Sequence, residues 1–321
     1  MAEYRRSIVV KETQPASDGD YTHLLPTDPV SFLVLHLKAL NAGSNTKATL
    51  AQLLSAIEKV LISYKGDTVI DINGADLYVL NCVLFGKEML QENVVDEDNA
   101  VRGLPLIIPF GKTLYNPAEA FPATAKGDLT ITLTLDIADT GYDTLKYQID
   151  AVTLPGASPS SRLKIYTIKH TPSSTGETDI DLPRGNKVLG YLLRSYTIPA
   201  GTSTTCTIGK TKLLADNKET YIVSIDFDGL HQELARLTGA ANAWAEKKHR
   251  ENTAASYTQN ADTATEEQYF SDVANYGLID FGIGVSEDFI LDTAGFRDLK
   301  LRIDAGDTNE IRVIAIERLP V

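Results

Sequence analysis

Leu129-Thr-Ile-Thr-Leu-Thr-Leu135 alternates apolar and polar positions without a break, the period-two pattern of a strand with one buried face. Leu299-Lys-Leu-Arg-Ile303 repeats that pattern in the second half of the chain. Other strand-like runs are Arg6–Val10, Val30–Leu40, Thr68–Ile72, Leu104–Phe110 and Lys146–Val152. A second series follows at Leu163–Lys169, Val188–Ile198, Cys206–Leu214, Tyr221–Phe227, Gly277–Ile283 and Ile311–Ile316. Turns rich in Asp, Gly, Thr and Asn separate Leu129–Leu135 from Lys146–Val152, and Leu299–Ile303 from Ile311–Ile316. Each of those pairs is expected to form an antiparallel hairpin. Strands outnumber helices and do not alternate with them, which excludes a doubly wound parallel sheet.

Helices are few. Thr49-x-x-Gln52 has the form of a capping box, and Leu50, Leu53, Leu54, Ile57 and Leu61 behind it make one helical stripe. Asn73 and Asp228 each follow a strand and precede a Gly, and both are good N-caps. The first predicts a short helix through Phe85. The second predicts a longer one through about Arg250, with Leu230, Leu234, Leu237 and Ala241 on its packing face. Glu251–Asp272 is polar and aperiodic, and reads as a long exposed loop.

The two series are copies of each other. Ile8-Val-Val-Lys-Glu-Thr answers Tyr166-Thr-Ile-Lys-His-Thr, so Lys11 falls on Lys169. Gly19 falls on Gly176, and Leu25-Pro26 on Leu182-Pro183, at an offset of 157 or 158. Ile70-Asp-Ile-Asn-Gly74 matches Ile225-Asp-Phe-Asp-Gly229. Thr124-Ala125 and Asp128-Leu129 match Thr293-Ala294 and Asp298-Leu299, and Leu154-Pro155 answers Leu319-Pro320. The pairs are collinear, and Leu-Pro-Gly-Ala-Ser-Pro-Ser-Ser from Leu154 is a linker by composition. Two all-β sandwiches of Greek-key or jelly-roll type are expected, with Lys11 superposing on Lys169 and Gly74 on Gly229.

Composition fits a folded chain: 321 residues, 43% hydrophobic and 23% charged. The net charge of −13 argues against a genome-coating surface, which needs a positive face, and against a polybasic membrane anchor. The apolar run around Leu77–Gly86 is too short to span a bilayer. No apolar signal-peptide core follows Met1-Ala-Glu-Tyr-Arg-Arg6. Two cysteines, Cys82 and Cys206, do not make a disulfide framework, so a reducing cytoplasm is expected.

Chemistry-bearing motifs are sparse. His23, His36, His170, His231 and His249 show neither HExxH nor HxH spacing. There is no GxSxG elbow and no P-loop. Gly282-Ile-Gly284 reads as a bulge or a close approach, and Cys82, beside Leu80, Val83 and Leu84, as a buried inert thiol. Asp136-Ile-Ala-Asp139-Thr-Gly-Tyr-Asp143 offers three carboxylates that suit calcium, but also the ordinary chemistry of a turn. The expectation is no catalytic, cofactor-binding or metal site. A carbohydrate-binding or carbohydrate-cleaving tandem sandwich is the alternative, weakened by a single tryptophan, Trp244.

The internal duplication, the matched Leu-Pro turns, the helices after Asn73 and Asp228, and the phrase Leu104-Pro-Leu-Ile-Ile-Pro-Phe-Gly111 together resemble one family. It is the double jelly-roll major capsid proteins of tailless icosahedral viruses, including bacteriophages with an internal membrane, the adenovirus-like capsid lineage. The resemblance implies an all-β fold of two tandem jelly rolls with a few short helices in the connections. Residues 1–157 would form the first, with an N-terminal arm, and 158–321 the second, with an inserted helix and loop at about 228–275. It implies a structural protein and not an enzyme: a homotrimer forming a pseudo-hexagonal capsomer of the virion shell, assembled in the host cytoplasm. Partners would be neighbouring capsomers and minor capsid or membrane proteins, without direct nucleic-acid binding. Tyr4, Arg5 and Arg6 would be an interacting arm or edge, touching a neighbour or lipid headgroups, since Arg binds carboxylates and phosphates in bidentate fashion.

Overall fold

In the computed structural model, which describes residues 3–42, 50–86, 99–137, 142–199, 203–238, 251–253, 256–257 and 273–321, alternation becomes burial. Leu129, Ile131, Leu133 and Leu135 point into the core, and the threonines between them are half-exposed. One compact unit takes Met1–Tyr166 and Leu319–Val321; the other takes the described residues of Thr167–Asn260 and Phe270–Arg318.

The first set of strands is β1 (Arg5–Thr13), β2 (Gly19–Leu24), β3 (Val30–Asn41), β4 (Ile57–Tyr64), β5 (Asp67–Ile72), β6 (Val101–Pro109), β7 (Leu129–Leu135) and β8 (Tyr142–Thr153). They form two antiparallel sheets, β1-β8-β3-β6 and β5-β4-β7-β2. Leu33, Leu35 and Leu37 of β3, Ile131 and Leu133 of β7 and Ile149 of β8 are all buried with essentially no solvent access. Helix α1 (Leu50–Ser55) precedes β4, and α2 (Gly74–Phe85) follows β5. Asn73 caps α2 through its side-chain oxygen, which accepts from Asp76 N–H at 2.8 Å. Gly86 ends it in the left-handed conformation at φ 63°, donating to the Cys82 carbonyl. Residues Leu77–Val83 are all buried, so α2 is enclosed on every side, which is why Cys82 is inaccessible.

The second set is β9 (Ser161–His170), β10 (Gly176–Asp181), β11 (Lys187–Arg194), β12 (Ile208–Ala215), β13 (Lys218–Asp226), the short β14 (Glu251–Thr253) and β15 (Ser256–Tyr257), β16 (Tyr276–Asp280), β17 (Leu291–Asp292), β18 (Leu299–Ala305) and β19 (Ile311–Pro320). Its sheets run β9-β19-β11-β16, with β17 also on β11, and β10-β18-β12-β13. Helix α3 (Phe227–Thr238) follows β13 as α2 follows β5. Setting aside β14, β15 and β17, each set has eight described strands in the same order: one, eight, three, six in one sheet and two, seven, four, five in the other. This is the jelly roll, made twice.

Register repeats as well as order. Gly19 lies opposite Leu135 and Leu24 opposite Thr130; Gly176 lies opposite Ala305 and Asp181 opposite Lys300. The bulge between Val30 and Phe32 on β3 recurs between Val188 and Gly190 on β11. Lys65 in the β4–β5 turn donates to the Asp128 carbonyl at 2.8 Å, and Asp216 in the β12–β13 turn to the Asp298 carbonyl at 2.9 Å.

Several expectations fail for identifiable reasons. The hairpins expected at the end of each copy are absent: β7 pairs with β2 and β4, while β8 lies in the other sheet. The same holds for β18 and β19. Alternation fixes the face a side chain takes but not the partner strand. The polar face of β7 instead matches β2, where Thr22 Oγ1 and Thr132 Oγ1 share a hydrogen at 2.8 Å and Thr134 Oγ1 donates to Asp20 at 2.6 Å. The stripe through Leu61 is no single helix, for α1 ends at Ser55 and β4 buries Ile57, Val60 and Ile62. Their β-branched side chains favour a strand. Thr49 lies outside the described residues. Helix α3 opens at Phe227, so Asp228 sits in its first turn, where a carboxylate still suits the helix dipole. The predicted continuation of that helix to Arg250 lies outside the described residues. Opposite Val60 stands Ile72, and opposite Thr211, the β12 counterpart of Val60, stands Ile225. The ladder thus pairs Ile72 with Ile225 and the helix start Gly74 with Phe227, not Gly229. The short phrase matched in the sequence is thus two residues out of register with the ladder, in which Ser224 is bulged at φ 98°. Strands β2 and β10 escaped prediction because Gly-Asp-Tyr-Thr-His-Leu and Gly-Glu-Thr-Asp-Ile-Asp are edge strands too polar to show a run. Within Glu251–Asp272, expected to be loop, β14 and β15 form an antiparallel ladder.

Candidate interaction surface

The predicted arm is the open border of a sheet. Among the described residues strand β1 pairs only with β8, and most of its residues are exposed. Tyr4 precedes it, 65% exposed, with its ring edge-on to Tyr115 at 5.2 Å. Tyr115 meets Phe32 at 5.1 Å in the same way. Phe32 belongs to a small apolar cluster with Val34 and Val152, joined by Ile107 and Leu114. Tyr115 is held for this contact at φ 62°, its N–H donating to Ser31 Oγ at 2.9 Å.

Arg5 and Arg6 part company. Arg6 Nη2 and Nε donate to Asp150 Oδ2 at 2.9 and 3.3 Å. His36 Nε2 lies 3.3 Å from the same oxygen, and Gln148 Nε2 donates to Asp150 Oδ1 at 2.9 Å. Burial of Asp150 works to raise its pKa, but the bonds from Gln148 and Arg6 and the charges of His36 and Arg6 outweigh it. The carboxyl therefore sits below its ordinary value. Arg5 is exposed, and its guanidinium has no partner among the described residues. Further along, Glu12 accepts from Lys38 at 2.8 Å and lies 3.4 Å from Lys146. The Lys38 bond is the main reason that its pKa is lowered. The sequence singled out Tyr4, Arg5 and Arg6 but missed Asp150, His36, Gln148 and Tyr115. Asp150 carried the one available signal, a charge inside the apolar run Tyr147–Val152 that requires a partner.

The opposite border of that sheet is closed. Residues 105, 107 and 109 of β6 turn their backbone groups outward. Pro105 and Pro109 have no N–H to offer. Ile107 N–H donates to Asn81 Oδ1 at 2.7 Å, and Asn81 Nδ2 donates to the Ile107 carbonyl at 2.8 Å. Asn81 comes from α2. In the second unit α3 acts similarly, with His231 Nδ1 donating to the Tyr276 carbonyl on border strand β16 at 2.8 Å. Among the described residues strand β13 is an open border like β1, exposing Tyr221 and Val223.

The other predicted positions have local roles. His23 bonds Tyr147 and His170 bonds Thr178, both at 2.9 Å. Gly282, Ile283 and Gly284 form a turn after β16 whose N–H groups donate to the Asp280 carboxylate. A Cβ on Gly282 would strike Ile290, which accounts for that glycine. Burial raises the Cys206 thiol pKa. Asp139, Trp244 and His249 lie outside the described residues, and so does the centre of the candidate calcium turn. Among the described residues no group of three His, Cys, Asp or Glu side chains has metal-binding geometry, and no helix is long and apolar enough to cross a membrane.

No protein-family profile matches the chain, and no curated protein matches it in sequence. Solved structures do match. The major capsid protein P2 of bacteriophage PM2 is similar over 99% of this chain and 98% of its own, with TM-score 0.62 at 14% identity. The major capsid protein of Sulfolobus turreted icosahedral virus is similar over 99% and 97%, with TM-score 0.68 at 13% identity. The PBCV-1 virus capsid gives TM-score 0.61 at 9% identity, over 99% of this chain and 94% of that one. The chain has the double jelly-roll fold of these capsid proteins.

Proposed function

We propose that this chain is the major capsid protein of an icosahedral virus, a structural subunit that performs no catalysis. One observation carries the reading: a jelly roll made twice in the same strand order, in a chain that matches solved major capsid proteins almost from end to end. Duplication has a physical use in a shell. Three copies of a chain with two like domains present six similar sides, and a near-hexagonal block tiles a flat facet. The likeness to the PM2 protein favours a bacteriophage, and we propose a boundary between the two rolls at residues 157 and 158. Two further copies, neighbouring capsomers, and minor capsid or membrane proteins are the proposed partners, in the virion shell.

Tyr4 and Arg5, whose guanidinium has no partner among the described residues, carry the contact proposed for the arm, on a neighbouring capsomer or an anionic headgroup, while Arg6 is held by Asp150. The test of the whole reading is the native mass and outline of the purified protein. A stable trimer of the 35.0 kDa chain with a six-sided outline by electron microscopy supports it. A protein that stays monomeric at high concentration overturns it.

A further inference from the structure

Strand β5 and the first half of β9 run side by side and parallel, with Ile70 opposite Ile165 and Asp71 opposite Tyr166. That stretch of β9, through Tyr166, belongs to the first compact unit. Ile70 and Ile165 are buried. By strand order β5 is the fifth strand of its set and β9 the first. Their counterparts are β13, fifth of the second set, and β1, first of the first. Among the described residues these two counterparts have open outer edges.

The open edges bear apolar side chains. Ile8 on β1 is 57% exposed and Val223 on β13 is 60% exposed. Neither strand carries a Pro, and among the described residues no helix side chain seals them as Asn81 seals β6. An exposed, unsealed border strand invites pairing. The two positions also correspond by register. Ile8 is the sequence counterpart of Tyr166. Asp71 stands opposite Leu61, and Val223 stands opposite Lys212, the counterpart of Leu61 in the ladders with β7 and β18.

We propose that β13 of one copy pairs in parallel with β1 of the next, repeating the β5–β9 junction and bringing Val223 opposite Ile8. Charge favours it: β1 carries Arg5, Arg6 and Lys11 against Glu12, and β13 carries Glu219 and Asp226 against Lys218. Such a head-to-tail contact uses two different edges, so it closes into a ring or runs on as a filament. The closure at three copies rests on the capsid reading above.

The experiment is disulfide trapping in the assembled protein. Ile8→Cys with Val223→Cys places two thiols at paired strand positions, within the Cα separation a disulfide spans. Mild oxidation is expected to link most chains into bands ending at three copies on a non-reducing gel. Thr13→Cys with Val223→Cys, displaced five residues or roughly 17 Å along the strand, is expected to remain unlinked. So is each single variant. A trimer by mass that shows no Ile8–Val223 link overturns the edge pairing and leaves the capsid reading intact. Equal trapping by the displaced pair overturns the register, and a ladder running past three copies overturns closure. A wild-type protein that is only monomeric overturns both readings. Ile8→Lys with Val223→Lys tests the contact without thiols, and is expected to lower the trimer fraction while each chain keeps its fold by circular dichroism.

Discussion

Leu25 N–H donates to the Leu129 carbonyl at 3.0 Å, and Leu182 N–H donates to the Leu299 carbonyl at 2.9 Å. Each bond ties the residue just past a second strand to the first residue of a seventh, and each Leu precedes a Pro that ends the pairing. Both leucines are buried, at 5% and 4% exposure. Replacing either by Ala should cost about 2–5 kcal/mol through lost burial and the cavity left behind. Leu24→Ala, at a residue 51% exposed, should change stability by less than about 0.5 kcal/mol. Urea denaturation of the three variants checks this. Similar losses for Leu25 and Leu182, with none for Leu24, are expected if the two turns are the same structural device.

Asn81→Leu should destabilise the first jelly roll more than its similar volume suggests. The Asn side chain is fully buried and satisfies both the N–H and the C=O of Ile107. Leaving a buried backbone group unpaired costs about 1–3 kcal/mol. The same variant opens the β6 border, so aggregation of the native protein should rise with it. Light scattering below the unfolding temperature reads that second effect, and a variant that is destabilised yet stays monodisperse would show that the edge needs no seal.

Local pattern revealed the strands with strong alternation or long apolar runs, and collinear residue pairs revealed the duplication. What stayed hidden was of two kinds. Sheet partners were hidden because a strand's face is local but its neighbour is not: nothing in Leu129–Leu135 tells that β2 is adjacent and β8 is not. Side-chain networks were hidden for the same reason. Arg6 and Asp150 are 144 residues apart, and only the β1–β8 ladder joins them. The expected match of Gly74 with Gly229 failed because a short phrase can recur two residues out of register, and only the ladder partners, Ile72 opposite Val60 and Ile225 opposite Thr211, fix the alignment.

Asp150 should contribute to acid stability. Its folded pKa lies below the ordinary carboxylate value of 3.8, so the unfolded chain binds the proton more readily. The contribution is present above the unfolded pKa and is lost as pH falls through the folded one. Arg6 is half-exposed, so solvent screening limits the size of the effect. Asp150→Asn should flatten the decline in stability below about pH 4 relative to wild type. An unchanged slope would show that the Arg6–Asp150 pair forms equally in the unfolded chain.

His23 should act in a higher window. Burial lowers its pKa from the ordinary 6.5, because the charged ring loses solvation between β2 and the Tyr147 hydroxyl it bonds. The unfolded chain, whose His23 is solvated, takes up its proton first as pH falls. Stability from this residue is therefore complete above about pH 6.5, declines as pH drops below that value, and levels off under the folded pKa. His23→Gln keeps a polar partner for Tyr147 but cannot titrate. Its melting temperature should follow wild type near pH 8 and fall less steeply between about pH 6.5 and 5. Tyr147→Phe separates the hydrogen bond from the proton. It should lower stability by about 0.5–1.5 kcal/mol at every pH while the pH dependence persists. A wild-type profile flat across that window would show that the His23 ring gains as much from the fold when charged as when neutral.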